Sequence, residues 1–338
     1  MDTQSRLGYM PALDGLRAVA IVLVVASHAT PQLTYGRVGV DVFFVLSGFL
    51  ITTLIADPMR SGAFSRRRFY ARRAIRLVPA LLVGVIVLTP AALFVMDDPG
   101  KVWWGAFAAL LYLAPIGPVT IFFHTWTLAF EEWFYLLWPL ALGRMFRDRL
   151  TARQAMILVA VVALTLQVAM AAAPGFYFFR VSGLLLGCAL ALWWIDGGRI
   201  SRPSPTLALG ICMILVGGGW MSPADHAAIP LLLGGWGAVL VIAALVSGAA
   251  GVLRSGLELG PVVAVGVVSY EWYLLHAPMM RMAHEWGDGS RWAVVPVSLV
   301  LAFGLHRLCV PIQARLRRGG TTPVNHQDGS AMIRQATA

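Results

Sequence analysis

Apolar residues along this chain gather into eleven runs, at roughly 12–30, 38–56, 77–96, 103–123, 126–143, 155–173, 177–195, 204–221, 229–247, 261–280 and 293–312. Each is close to the twenty or so residues that a helix needs to cross a hydrocarbon layer about 30 Å thick. Short polar segments rich in arginine separate the runs. The pattern predicts an all-α, polytopic integral membrane protein. Residues 57–76 contain Arg60, Arg66, Arg67, Arg68, Arg72, Arg73 and Arg76, and 144–153 contain Arg144, Arg147, Arg149 and Arg153. Loops so basic are expected on the cytoplasmic side. An even number of crossings must separate them, yet three runs lie between. The weakest is 103–123, broken by Pro115, Gly117 and Pro118, so it is expected to be re-entrant or interfacial. About ten spans remain, with both termini in the cytoplasm of a cell whose plasma or inner membrane holds the protein. This threading puts 19 cations in inside segments, four outside and three within spans.

Composition supports the same class. Of 338 residues, 59% are hydrophobic and 12% are charged, about half the charged share of an ordinary soluble domain. The net charge of +10 does not point to nucleic acid, because the basic residues lie between apolar runs and not in a groove with interleaved aromatics. All but one of the cations are arginine, a residue suited to phosphate and carboxylate. Cys188, Cys212 and Cys309 fall inside apolar runs at unrelated spacings, so neither a zinc site nor a disulfide framework is expected. The first apolar run follows a polar start and continues into a full span, which does not read as a cleavable leader. No internal repeat is evident. Residues 1–318 form one membrane domain in this reading, and 319–338, rich in Gly, Thr, Asn, Gln and Ser, a disordered cytoplasmic tail.

Ionisable residues inside the runs need a reason, since each costs at least about 2.5–3.5 kcal/mol at mid-bilayer. Arg17 and His28 are eleven residues apart, on one helix face and roughly 16 Å apart along the axis. They read either as a snorkelling arginine with a hydrogen-bonded histidine, or as a cation at the mouth of a path with a general base deeper within it. Asp41 lies near the outer end of the second run, at the expected depth of His28. It could orient that imidazole or cap its own helix. Glu131 and Glu132 place two carboxylates in an otherwise apolar helix, and Ser269-Tyr270-Glu271 leads to His276 in the outer half of a late span.

These residues sit in motifs that resemble the acyltransferase-3 family of membrane acyltransferases. The match is carried by Leu13-Asp14-Gly15-Leu16-Arg17 with ten residues before His28, and by Gly39-Val40-Asp41 running on to Ser47-Gly48-Phe49. Further on it is carried by Phe69-Tyr70-Ala71-Arg72-Arg73 through Arg76 and Pro79, by Trp126-Thr127-Leu128 with Glu131 and Tyr135, and by Ser269-Tyr270 leading to His276-Ala277-Pro278. The resemblance spans about residues 9 to 315. It implies transfer of an acyl group, most often acetyl, from cytoplasmic acyl-CoA to a carbohydrate or lipid-linked glycan at the outer face, without a metal. It implies that His28 is catalytic, with Asp41 or Glu131 orienting it. Arg17, Arg73 and Arg76 are then expected to hold the acyl donor, and Ser47, Trp126, Tyr135, Tyr270 and His276 to meet the substrate. Glu131 matches the family's acidic position and Glu132 its more variable neighbour. Relatives often carry an acid two or three positions after the arginine that Arg180 matches; it is missing here, which leaves Arg180 without an expected role. Some relatives append an esterase-like domain, and none is expected within these residues. A transporter or flippase for a polysaccharide precursor is the alternative, because buried ionisable residues also mark transport paths.

Overall fold

The computed structural model describes residues 7–30, 36–172, 177–220, 228–285, 287 and 290–319. Among these residues there is no strand, and the chain is a polytopic membrane protein built from thirteen α-helices. Of the expected tail, 319–338, Gly319 ends the last helix and residues 320–338 lie outside the described residues. Helix α1 (Pro11–Ala29) opens with proline at its first position, where a missing N–H costs nothing. Helix α2 (Gly36–Arg60) runs back beside it, and α3 (Arg66–Val95) follows. The side chain of Ser65 caps α3 by accepting from the Arg68 amide at 3.4 Å. The arginine-rich stretch between the second and third runs is therefore mostly helix. Arg72, Arg73 and Arg76 occupy the first three turns of α3 and do not sit in a solvated loop.

Run 103–123 is not a span. Helix α4 (Pro99–Leu110) has 12 residues, about 18 Å of rise against a core of about 30 Å. The chain then reverses with Tyr112 at φ 56° and continues in two 3-10 turns, Ala114–Ile116 and Phe123–Thr125. Helices α5 (Trp126–Arg147), α6 (Ala152–Ala172), α7 (Ser182–Ile195), α8 (Pro203–Trp220) and α9 (Ala228–Val246) follow. The expected span 261–280 is broken at Val268. Helix α11 (Gly260–Val267), which follows the short α10 (Val252–Leu257), ends there, and α12 (Ser269–His284) begins. Helix α13 (Ser290–Gly319) closes the bundle.

Seven helical segments among the described residues are long and apolar enough to cross a membrane. The other three expected crossings, α5, α8 and the α11–α12 segment, are not among these seven. Helix α5 carries Glu131, Glu132, Arg144 and Arg147, and the α11–α12 segment is interrupted.

Helix α2 is the centre of the bundle, packed against α1, α5, α7 and α9. Its approach to α7 depends on glycine. A Cβ on Gly48 would run into the Leu184 carbonyl, and one on Gly187 into the Val45 carbonyl, so the two backbones touch. Small residues at such a crossing replace the hydrophobic drive that helices lack in lipid. By contrast α6 turns Val161, Val162, Leu164 and Val168 outward, as a lipid-facing helix should.

Candidate active site

A cavity of about 1790 Å³ enters the bundle at its arginine-rich end. Helix α1 supplies Arg17 to its lining, α2 Ser47, α3 Arg72, Arg73 and Arg76, α5 Glu131, Glu132 and Tyr135, and α12 Ser269, Tyr270 and Tyr273. Seven expected site residues therefore meet around one space: Arg17, Arg73, Arg76, Ser47, Glu131, Tyr135 and Tyr270. The break at Val268 turns Ser269 and Tyr270 into this wall. The Tyr270 hydroxyl donates to the Leu77 carbonyl at 3.1 Å, tying α12 to α3.

The two carboxylates of α5 divide the work. Glu131 accepts from Ser47 Oγ at 2.7 Å, a link from α5 to α2. Glu132 takes two donors from Arg73, Nε at 2.9 Å and the neighbouring guanidinium nitrogen at 2.7 Å. That guanidinium also lies over the Tyr135 ring, 3.2 Å from its centroid. Arg73 is thus fixed in place by a half-buried ion pair and an aromatic face. Arg76, three residues further along α3, is exposed into the cavity. Arg17 is 3.9 Å from Asp14.

At the other end of the bundle three imidazoles come together. The rings of His28 and His276 are 5.0 Å apart, and those of His276 and His124 are 5.7 Å apart, both edge to face. His28 Nδ1 is 2.8 Å from the Val24 carbonyl, one turn back on α1. A carbonyl can only accept, so Nδ1 carries the hydrogen and Nε2 the lone pair. His276 repeats the device, with Nδ1 donating to the carbonyls of Trp272 at 3.1 Å and Tyr273 at 2.8 Å. Its Nε2, and both ring nitrogens of His124, are buried with no hydrogen-bond partner among the described residues. Leaving such groups unpaired is costly.

One wall separates cavity and cluster. The Tyr273 hydroxyl donates to the His124 carbonyl at 2.6 Å and lies 2.7 Å from Thr127 Oγ1. Tyr273 and Thr127 line the cavity, while the Tyr273 ring packs on His276 and His124 at 5.4 and 5.3 Å.

The Asp41 carboxylate accepts two bonds from Arg180, at 3.2 and 2.8 Å. Asp41 is buried and Arg180 nearly so, and the guanidinium lies 5.5 Å from the Trp126 ring. Asp41 therefore fastens α2 to the turn before α7, and Trp126 belongs to this pair. A residue that motif reading left without a role, Arg180, proves to be the fixed partner of one that it had named. Glu131 likewise bonds Ser47 and not an imidazole. His124 and Tyr273 stand beside expected residues in the same motifs, and their burial was the signal that sequence lacked. Among the described residues, no group of His, Cys, Asp and Glu could hold a metal ion.

Residues 10–306 match the acyltransferase domain that defines the acyltransferase-3 family. The chain belongs to this family. It is 30% identical over 321 residues to the O-acetyltransferase OatA of Staphylococcus aureus, covering 82% of this chain and 52% of that protein. It is 31% identical over 212 residues to the peptidoglycan O-acetyltransferase OatA of Listeria monocytogenes, covering 55% of this chain and 34% of that one. The chain thus spans about half the length of the first of these relatives and a third of the second. No solved structure matches it.

Proposed function

We propose that this chain is a membrane O-acyltransferase that moves an acetyl group from acyl-CoA to a hydroxyl of an envelope carbohydrate. Peptidoglycan is the acceptor named for the Listeria relative. The observation that carries the reading is the shared wall: a cavity that opens among arginines ends at Thr127 and Tyr273, directly against the histidine cluster. Arginine forks suit the phosphates of a coenzyme A thioester, and Arg73 is held ready for that contact by Glu132. The positive-inside rule assigns this mouth to the cytoplasm, with both termini on that side. The histidine end then faces the exported glycan.

In this mechanism His28 Nε2 takes the proton of the acceptor hydroxyl as its oxygen attacks the thioester carbonyl. The tetrahedral intermediate expels the coenzyme A thiolate, which recovers that proton from the imidazolium. The unpartnered nitrogens of His276 and His124 offer acceptors or donors to neighbouring hydroxyls of the sugar. Attack by Nε2 itself, giving an acyl-histidine that the sugar then cleaves, uses the same groups in two steps.

The decisive test is acyl transfer by the purified chain in nanodiscs, with labelled acetyl-CoA and glycan fragments, beside mass spectrometry of surface glycans from cells with and without the gene. Labelled ester on the glycan and a matching acetyl mass difference are expected. A folded chain that binds no acetyl-CoA, in cells whose glycans are unchanged in mass, would overturn the proposal in favour of transport.

A further inference from the structure

A second cavity, about 700 Å³, lies beside the donor cavity at the same end of the bundle, sharing Arg60 and Phe64 with it, where α2, α3, α5, α6 and α7 all begin or end. Arg60, Arg66, Arg147 and Arg149 line it, with Asp196 as the one acid. Among the described residues, Arg66, Arg147 and Arg149 have no ion-pair or side-chain hydrogen-bond partner, and Arg60 has only the Phe146 ring, 4.9 Å away. Four guanidiniums around one opening repel one another unless an anion joins them.

Arg149 adds a second observation. It closes α5 with φ 63°, through Arg149 N to Phe146 O at 3.1 Å and Leu150 N to Met145 O at 3.0 Å. Glycine is the ordinary occupant of such a left-handed helix-ending position. Here an arginine is held there and directed into the cavity, as strained residues at binding sites often are.

The shape supplies the third. Below the arginines the wall is apolar, made by Pro139, Leu140 and Gly143 of α5. Leu140 is 46% exposed, and a side chain added at Gly143 would meet nothing within 4 Å. This groove continues onto the outward face of α5 at Leu136 and Leu137, which the bilayer must cover.

We infer that this cavity binds an anionic phospholipid, its phosphodiester among Arg66, Arg147 and Arg149 and one acyl chain along α5 past Gly143. Arginines between helix ends at a membrane surface are suited to such headgroups. An acidic peptide would satisfy the charges but would leave the lipid-facing groove empty.

The test is native mass spectrometry of the full chain titrated with dioleoylphosphatidylglycerol, with dioleoylphosphatidylcholine, and with glycerol 3-phosphate as the headgroup without chains. Wild type is expected to retain phosphatidylglycerol selectively. Arg147→Gln combined with Arg149→Gln should weaken that binding about thirtyfold, the effect of two interfacial charges. Gly143→Leu, which keeps every charge and fills the groove, should also weaken it while leaving acetyl-CoA binding unchanged. Equal retention of the two lipids by wild type, or undiminished phosphatidylglycerol in both variants, overturns the inference. Glycerol 3-phosphate binding as tightly as the lipid would make this a phosphate site and equally overturn it.

Discussion

The two ends of this molecule solve opposite problems with ionisable residues. At the cavity mouth, charge is abundant and partly neutralised: Arg73 rests on Glu132 and Tyr135, while Arg76 is left exposed. At the far end, the ionisable groups are imidazoles: His28 and His276 tie Nδ1 to their own helices, while His276 Nε2 and both His124 nitrogens have no hydrogen-bond partner among the described residues. In the proposed reaction the mouth attracts the anionic donor and the far end exchanges protons with the acceptor. Desolvation explains the division. Arginine keeps its charge in a solvated opening, whereas histidine can enter a dry cluster as a neutral group.

The largest expected effect tests that division directly. His28→Ala should lower acyl transfer by at least about 10²–10⁴-fold, the usual scale for losing a general base. Acetyl-CoA affinity should hold, since the phosphate contacts lie about 16 Å away along α1. Both quantities can be read on one nanodisc preparation. Full transfer by the variant would falsify the catalytic assignment, and loss of donor binding as well would move His28 to the donor's side of the wall.

Asp41 should respond through stability instead. Removing one partner of a buried pair leaves the other charge stranded, at a cost of about 3–5 kcal/mol. Asp41→Ala and Arg180→Ala should therefore each lower the thermal midpoint markedly, and the double variant by less than their sum. An Asp41→Ala protein of unchanged midpoint that lacks transfer would return Asp41 to the catalytic group.

Within the mouth, Arg73 and Arg76 should separate. Arg76→Ala should weaken acetyl-CoA binding by about 10- to 150-fold without affecting stability, since one charge-assisted contact is worth roughly 1.5–3 kcal/mol. Arg73→Ala should do the same and also destabilise, because Glu132 loses both donors. Lysine at position 73 should rescue only partly, lacking the fork. Equal stability of the two alanine variants would show that the Glu132 pair contributes little to the fold.

Much of this architecture is legible from hydropathy and charge. Run length found the helices, and Pro115, Gly117 and Pro118 marked the segment that fails to cross. Where reading failed, the cause was tertiary. Arginines in a polar stretch look like a loop, yet Ser65 caps a helix that takes in Arg72, Arg73 and Arg76. The break at Val268 has no proline at the joint, and Gly266, two residues before it, reads equally well as a close-packing glycine. Depth along a helix brought Asp41 and His28 to one level, but it could not show that Asp41 also pairs with Arg180. Motifs located Glu131, His28 and His276. They could not say that Glu131 serves the mouth and the histidines the far end, because only packing puts Tyr273 between them.

Tyr273 gives the smallest effect and the sharpest test of that partition. Its hydroxyl bonds the His124 carbonyl and Thr127 Oγ1, while its ring lies between cavity and cluster. If the residue acts as a wall, Tyr273→Phe keeps the ring, loses two neutral hydrogen bonds and leaves the Thr127 hydroxyl to find another partner. The expected cost is about 0.5–1.5 kcal/mol per bond in stability, with transfer reduced less than tenfold. Tyr273→Ala opens the wall, and there transfer should fall further while the thioester hydrolyses without an acceptor, measurable as free coenzyme A released per ester formed. A Phe variant that matches His28→Ala in lost transfer would contradict this reading. It would mean that the Tyr273 hydroxyl carries a proton between the two ends, and that the boundary between them is itself part of the chemistry.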